Sequence, residues 1–441
     1  MSDLTLQPIV GPFYAEFTPP GSKSLTNRAL VLAALANGDS ELTNCLFADD
    51  THVMIESLMR LGFELRVDRA KNSIAVHGAG GQVPAREAEL FCGNSGTSIR
   101  FLTALCSLGK GRYVLDGIPR MRQRPIGQLV ELLRNLGVRI DYLMNEGFPP
   151  IQVLGDGALP GGIGRFGDAQ SSQFLSAALM VCPYARNIVN IDLVGRQTSW
   201  PYVAMTMHLM DRFGVLSEVL LDKPTGEPRM ITVPPGKYAA TGYAVEPDAS
   251  NASYFLAAAA LHNGSKVTIH GLGKRSLQGD VGFADVLHRM GAGLVFGPDF
   301  ITVMGTDSLE GIDVDLHDMP DTAQTLAVVA LFAGGQTRIR GLHTLRVKET
   351  DRIAALAAEL GKFGSEVLVE GDDLIIDPPE HIHGATVETY DDHRMAMSFA
   401  LAGTKIAGVT IRDVECVNKT YPEFFDDLAK VLSGREQKAS K

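Results

Sequence analysis

One pattern of apolar and polar positions recurs along the whole chain. Six apolar stretches open with small polar residues near Ser22, Ser95, Ser171, Ser250, Asp321 and Asp391, at intervals of about 70 to 80 residues. They read SKSLTNRALVLAALANG, SGTSIRFLTALCSLGKG, SSQFLSAALMVCPYAR, SNASYFLAAAALHNG, DTAQTLAVVALFAGG and DDHRMAMSFALAG, and each predicts a short apolar helix. A polar turn and an alternating strand follow every one, as in SELTNCL, RYVLDGI, NIVNIDL, SKVTIHGL, QTRIRGL and GVTIRDV. A second, amphipathic helix then ends in a leucine- or methionine-rich turn and a glycine before another strand, as in LVELLRNLGVRIDYL; the sixth copy closes on FFDDLAKVL.

Strands and helices alternate in any α/β chain, but six copies in step argue for a true repeat of helix, strand, helix, strand, with room for further strands. A chain of 441 residues is too large for one core, so two globular halves of three repeats each are expected. The VEPDAS stretch before the fourth copy is a plausible crossing between them.

Composition narrows the class without naming a function. The chain is 45% hydrophobic and 21% charged with a net charge of −11, which is ordinary for a globular protein. That sign argues against general binding to nucleic acid or anionic membranes, while leaving room for a local basic pocket. No apolar run approaches the ~18–20 residues of a membrane span, and the opening MSDLTLQPIVG lacks signal-peptide form. Five scattered cysteines, Cys45, Cys92, Cys106, Cys182 and Cys416, never form CxxC. They read as reduced, metal-free thiols, so a cytoplasmic location is expected.

The helix starts carry more polar residues than a cap requires. The first offers Gly21-Ser22-Lys23-Ser24 with Arg28 one turn on; the second offers Gly93-Asn94-Ser95-Gly96-Thr97 with Arg100. The third offers Ser171-Ser172-Gln173 and the sixth Asp391-Asp392-His393-Arg394. Free N–H groups and the positive end of the helix dipole suit such starts to phosphate or carboxylate, and Lys or Arg adds full charge. Taken singly each is weak, and GSKS is not a P-loop, since GxxxxGK[ST] is absent. Two further basic stretches lie in strand-to-helix turns: Pro119-Arg120-Met121-Arg122-Gln123-Arg124-Pro125-Ile126 and Leu345-Arg346-Val347-Lys348-Glu349-Thr350-Asp351-Arg352. Three arginines at alternate positions repel one another, so the first stretch is expected to meet an anion. In the second, Lys348 and Glu349 are crowded by Arg346 and Arg352, which favours shifted pKa values.

In order from Pro20 to about Phe425, PGSKSLTNRALVLAALANG, GNSGTSIRFL, PRMRQRPIG, SSQFLSAALM, RVKETDR, YDDHRMAM and NKTYPEFF resemble the EPSP synthase branch of the enolpyruvyl transferase family. The resemblance implies two inside-out α/β domains, each of three βαβαββ repeats, joined by a two-strand hinge. It puts residues 21–245 in a domain on the shikimate 3-phosphate side. Residues 1–20 and 246–441 would form the other, carrying the catalytic acid and base and the phosphoenolpyruvate side. The implied reaction moves the enolpyruvyl group of phosphoenolpyruvate to the 5-hydroxyl of shikimate 3-phosphate with no metal or organic cofactor. The substrates would be the partners, with no nucleic acid or membrane, and the protein is expected to act as a monomer.

Carried over residue by residue, shikimate 3-phosphate would meet Lys23, Ser24, Arg28, Ser171, Ser172, Gln173, Ser199, Tyr202, Asp321, Thr344 and Lys348. Phosphoenolpyruvate would meet Lys23, Asn94, Gly96, Arg124, Gln173, Arg352, Arg394 and Lys419. Asp321 would be the base for the 5-hydroxyl and Glu349 the acid that protonates the methylene carbon, with Lys23 and Lys348 assisting. A plain helix cap is the competing reading of Asp321. The chain departs from its relatives at Thr344-Leu345, where they carry Asn-Trp, at Trp200, where lysine is usual, and at Phe101, which replaces a proline. Glyphosate, the family's inhibitor, mimics the phosphoenolpyruvate side; Gly96 leaves it room, and Phe101 stands behind that helix turn. A sibling enzyme that uses a UDP-sugar carries a reactive cysteine in its Arg-Pro loop, but none lies between Cys106 and Cys182 here. A non-catalytic anion-binding protein on the same scaffold would lack the acid and base, yet Asp321 and Glu349 are both present.

Overall fold

The computed structural model describes residues 2–167 and 170–435. The chain separates into two compact units, one of Gly21–Val245 and one of Met1–Pro20 with Glu246–Lys441.

Within Gly21–Val245 the repeat is plainest in its second copy. Strand Glu87–Phe91, helix Gly96–Cys106, strand Lys110–Asp116, helix Gly127–Asn135 and strands Arg139–Tyr142 and Ile151–Asp156 follow in order. The first two strands pair in parallel, with Leu90 opposite Leu115, and the last two join antiparallel. The third copy repeats this order with strands Gly162–Gly167, Val189–Val194, Glu218–Leu221 and Pro228–Val233. In the first copy the leading strand comes from the far end of the unit: Gly242–Ala244 lies parallel to Asn37–Thr43.

The other unit is built alike. Its first sheet takes its leading strand, Tyr14–Phe17, from the N-terminal segment, parallel to Lys266–His270. Its second sheet orders Asp313–Asp315, Thr337–Arg340, Asp373–Asp377 and Glu366–Glu370. The sixth copy is shorter than a full repeat. Thr386–Val387 pairs in parallel with Thr410–Ile411, and the third strand is Leu4–Thr5 from the start of the chain. The chain reaches its last helix, Phe424–Ser433, without two closing strands of its own.

Both units are inside-out α/β folds. The first helix of each repeat is buried on every face: Leu25–Leu35 in the first, all of Gly96–Cys106 in the second, all of Ala249–Leu261 in the fourth. A helix that is apolar all round has no face to give to water, so the three of each unit pack together and the sheets lie outside them. The second helices keep one exposed side, as in Gly127–Asn135, where Leu129, Val130, Leu132 and Leu133 point inward. Contacts join several of the inner-helix starts: Gln173 to Thr97 in one unit, and Arg394 to Asp321 in the other.

Phe255 ties distant segments of its unit together. Fully buried in helix Ala249–Leu261, its ring lies 4.5 Å from Phe17, 6.2 Å from Tyr421 and 6.0 Å from Phe424. Phe255→Ala is expected to cost about 3–5 kcal/mol of unfolding free energy in a denaturant titration. Leu368→Ala, 59% exposed on an outer strand, is expected to stay within about 0.5 kcal/mol of the parent. Equal effects would contradict the placement of the core.

Candidate functional site

In the Gly21–Val245 unit the polar helix starts form three linked groups. The first surrounds Arg28, 1% exposed on helix Lys23–Leu35. Its guanidinium donates to the Thr206 hydroxyl at 2.7 Å, the Ser24 carbonyl at 2.9 Å, the Ser176 hydroxyl at 3.2 Å and the Tyr202 carbonyl at 3.3 Å. The Phe101 ring stacks 5.1 Å from it. These partners are neutral, and burial pushes the guanidinium down to about 10. Ser199, whose left-handed φ is 49°, caps helix Trp200–Arg212, so its carbonyl accepts the Tyr202 N–H at 3.1 Å. Lys23, at the helix start, pairs with buried Asp50 at 3.2 Å.

The second group centres on Arg100. It donates to Gln173 Oε1 at 2.6 Å, the Ser171 hydroxyl at 3.3 Å and the Pro125 carbonyl at 3.2 Å, and it lies 4.8 Å from the Phe174 ring. Gln173 in turn donates to Thr97 at 3.1 Å, while Ser171 caps helix Ser172–Val181 by accepting the Gln173 N–H. The third group is Arg124, which donates to the Asn94 carbonyl at 2.9 Å and side chain at 3.2 Å. A Cβ on Gly96 would lie 2.5 Å from Arg124 Nη2, so the guanidinium occupies the space a side chain would need.

Arg120, Arg122 and Arg124 of the first basic stretch point in different directions. Arg122 turns outward to Asp116, at 2.9 and 2.5 Å, and Arg120 reaches Gln123; only Arg124 is buried. A short 3-10 turn at Met121–Gln123 separates the three directions. Asp116, on the preceding strand, supplies the counter-charge.

In the second unit a denser network forms around Arg352, at the start of helix Arg352–Gly361. Its Nε donates to Asp392 Oδ2 at 2.7 Å, and its Nη2 donates to Glu349 Oε2 at 3.0 Å and Asp392 Oδ1 at 3.2 Å. Its Nη1 reaches Asp321 Oδ1 at 3.3 Å. Asp321 also holds Lys348 at 3.4 Å and Arg394 at 3.0 Å, and its carbonyl accepts from Arg394 at 3.0 Å. Lys419 stands 3.8 Å from Glu349 Oε1. Burial opposes the charge on Arg352, but Asp392, Glu349 and Asp321 outweigh it and hold the group above its ordinary value. Arg394 also donates to buried Tyr254, whose phenol burial pushes up to about 12.

Asp321 sits in a 3-10 turn, Pro320–Thr322, ahead of helix Ala323–Ala330. Its side chain goes to the cations and does not cap the helix. Thr344 is buried nearby in the sequence turn His343–Val347, its hydroxyl without a hydrogen-bond partner among the described residues. Arg346, expected beside Glu349, turns away to Asp372, Asp351 and the Gly371 carbonyl.

Several contributors carried no distinct signal. Asp50 stood in no motif, and Asp392, part of the sixth polar helix start, caps that helix by accepting the Arg394 N–H at 2.9 Å. Arg100 was visible as a charge inside an apolar helix, though its partners were not. Asp280, fully buried, accepts from Ser250 and sits within the field of Asp321. Among the described residues no group of three or more His, Cys, Asp or Glu is arranged to hold a metal ion.

The whole chain has counterparts. The family model for EPSP synthase (3-phosphoshikimate 1-carboxyvinyltransferase) matches residues 9–428. A 3-phosphoshikimate 1-carboxyvinyltransferase of Vibrio vulnificus is 46% identical over 434 residues, covering 98% of this chain and 99% of the relative. One of Sulfurovum is 46% identical over 434 residues, covering 98% and 100%. The solved structure of an EPSP synthase from Acinetobacter baumannii superposes with a TM-score of 0.79 at 26% identity, covering 97% of this chain and 98% of that one.

Asp280 generates a pH prediction. Burial first, then the charge of Asp321, raises its carboxyl from 3.8 to about 6, against the Ser250 hydrogen bond and Arg394. The folded protein therefore binds more protons than the unfolded chain between those values, and stability drains away as pH rises through them. Asp280→Asn cannot ionise. Its unfolding free energy relative to the parent is expected to improve by about 3 kcal/mol from pH 3.5 to pH 7, read from denaturant titrations. A difference independent of pH would contradict the buried charge.

Proposed function

Because this chain belongs to the EPSP synthase family, we propose that the clusters just described divide the work of one transfer between them. The reaction moves the enolpyruvyl group of phosphoenolpyruvate to the 5-hydroxyl of shikimate 3-phosphate and releases phosphate. Each substrate brings a phosphate and a carboxylate, about six negative charges in all. Each unit carries buried cations of the kind such anions need.

In this reading Lys23, Ser24, Arg28, Ser171, Ser172, Gln173, Ser199 and Tyr202, with Thr344 and Lys348, bind shikimate 3-phosphate. Arg28 suits an anion because its present partners are neutral. Thr344 suits a hydroxyl because its own has no hydrogen-bond partner among the described residues. Lys23, Asn94, Gly96, Arg124, Gln173, Arg352, Arg394 and Lys419 frame phosphoenolpyruvate. Glu349 gives a proton to the methylene carbon, leaving a cationic carbon that the 5-hydroxyl attacks while Asp321 takes the hydroxyl proton. The C–O bond to phosphate then breaks, releasing phosphate, and the methyl group returns a proton to the Glu349 carboxylate, which restores the double bond. Lys23 and Lys348 stabilise the negative charge that moves.

The observation that carries the assignment is that Asp321 and Glu349 are both bound to one buried guanidinium, Arg352, at 3.3 and 3.0 Å. A shared rigid fork fixes the spacing of acid and base before substrate arrives. A cytoplasmic location and action as a monomer belong to the same proposal; the five buried cysteines, none in a disulfide, fit a reducing compartment.

Phosphate release from the two substrates in a metal chelator tests the roles. The parent is expected to turn over, and Asp321→Asn and Glu349→Gln each to lose about 10²–10⁴-fold in kcat. Added glyphosate is expected to compete with phosphoenolpyruvate. Either variant turning over at the parental rate removes that residue from its role.

A further inference from the structure

The segment that delivers Asp392 and Arg394 is held in an unfavourable backbone shape. Tyr390 and Asp391, neither of them glycine, are consecutive residues in the left-handed region, with φ of 55° and 54°. Side chains with a Cβ resist that conformation, so two in a row persist only where surrounding contacts impose them. One helix supplies contacts on both sides of the pair. Ahead of it in space, Arg352 grips Asp392 through two hydrogen bonds. Behind it, Glu359, seven residues along the same helix and so on the same face, is fully buried. Its carboxylate accepts the Glu388 backbone N–H at 3.1 Å and the Tyr390 hydroxyl at 2.7 Å. Lys362 completes the clasp, 2.7 Å from Glu359 and 3.2 Å from the Thr386 carbonyl.

A buried carboxylate is costly unless an ion pair and hydrogen bonds compensate it. Here the hydrogen bonds run to the backbone and side chain of the strained turn and not to any of the groups around Arg352. We propose that Glu359 is a positioning residue for phosphoenolpyruvate: it latches the 388–391 turn so that Arg394 and Asp392 stand where the anion requires them. This rests on the assignment of Arg352 and Arg394 to that substrate. Loss of the latch relaxes the turn, Asp392 no longer caps helix His393–Lys405 in place, and the Arg394 fork shifts away from Asp321.

Steady-state kinetics with each substrate varied, together with amide hydrogen exchange over 386–396, tests this. Glu359→Ala is expected to raise KM for phosphoenolpyruvate about tenfold, with KM for shikimate 3-phosphate within about twofold and exchange in the segment faster. Glu359→Gln keeps an acceptor oxygen and is expected to stay close to the parent. If Glu359→Ala does not fold, Tyr390→Phe, which removes one hydroxyl near the surface, is expected to shift the same KM about threefold. Glycine takes left-handed φ freely, so Glu359→Ala with Asp391→Gly should return KM to that of Asp391→Gly alone. Unchanged exchange in Glu359→Ala overturns the latch. Faster exchange with an unmoved KM for phosphoenolpyruvate overturns the assignment of Arg394 to that substrate.

Discussion

A buried arginine surrounded by carboxylates is the constraint on which the rest of the second unit turns. The Arg352 side chain is 2% exposed and Asp392 wholly buried, so neither charge has water to fall back on. Taking such a pair out of water costs more than the pair regains unless geometry and further hydrogen bonds are favourable. Here all three guanidinium nitrogens are engaged, and the excess of carboxylate is met by Lys348, Arg394 and Lys419. Removing any member strands a partner. The network is therefore stable as a set, and it holds Asp321 and Glu349 at fixed spacing as a by-product of its own charge balance.

The Gly21–Val245 unit solves a different problem. Arg28 is as deeply buried as Arg352, yet hydroxyls, carbonyls and an aromatic face take the place of carboxylates. Its charge is tolerated but not neutralised, as the downward shift to about 10 reflects. A phosphate or carboxylate brought there meets a cation still short of a counter-ion. One unit holds a network of balanced charges, and the other a buried cation whose hydrogen-bond partners are neutral. Arg28 lies in an inner helix, whereas Arg352 opens a second helix and meets the inner-helix starts through Asp321 and Asp392.

The repeat was legible because its inner helices are apolar on every face, a signal that survives without any knowledge of partners. The pairing of Gly242–Ala244 with Asn37–Thr43, and of Leu4–Thr5 with Thr410–Ile411, was not. Strands two to four hundred residues apart leave no mark on local periodicity. Charge runs proved ambiguous for a related reason: whether Arg122 or Arg124 turns inward depends on Asp116 lying across the turn. Lys348, Glu349 and Arg352 were readable as a crowded motif and Asp392 as part of a polar helix start, while Glu359 stood in no motif. Only tertiary packing shows that Asp392 and Glu359 are buried.

Arg352→Lys keeps the charge and removes the fork, and so tests directly whether acid and base depend on one rigid guanidinium. With the substrates saturating, kcat is expected to fall about 100-fold or more. Calorimetric binding of shikimate 3-phosphate should stay within about twofold of the parent. Parental turnover by Arg352→Lys would contradict the central role given to that arginine.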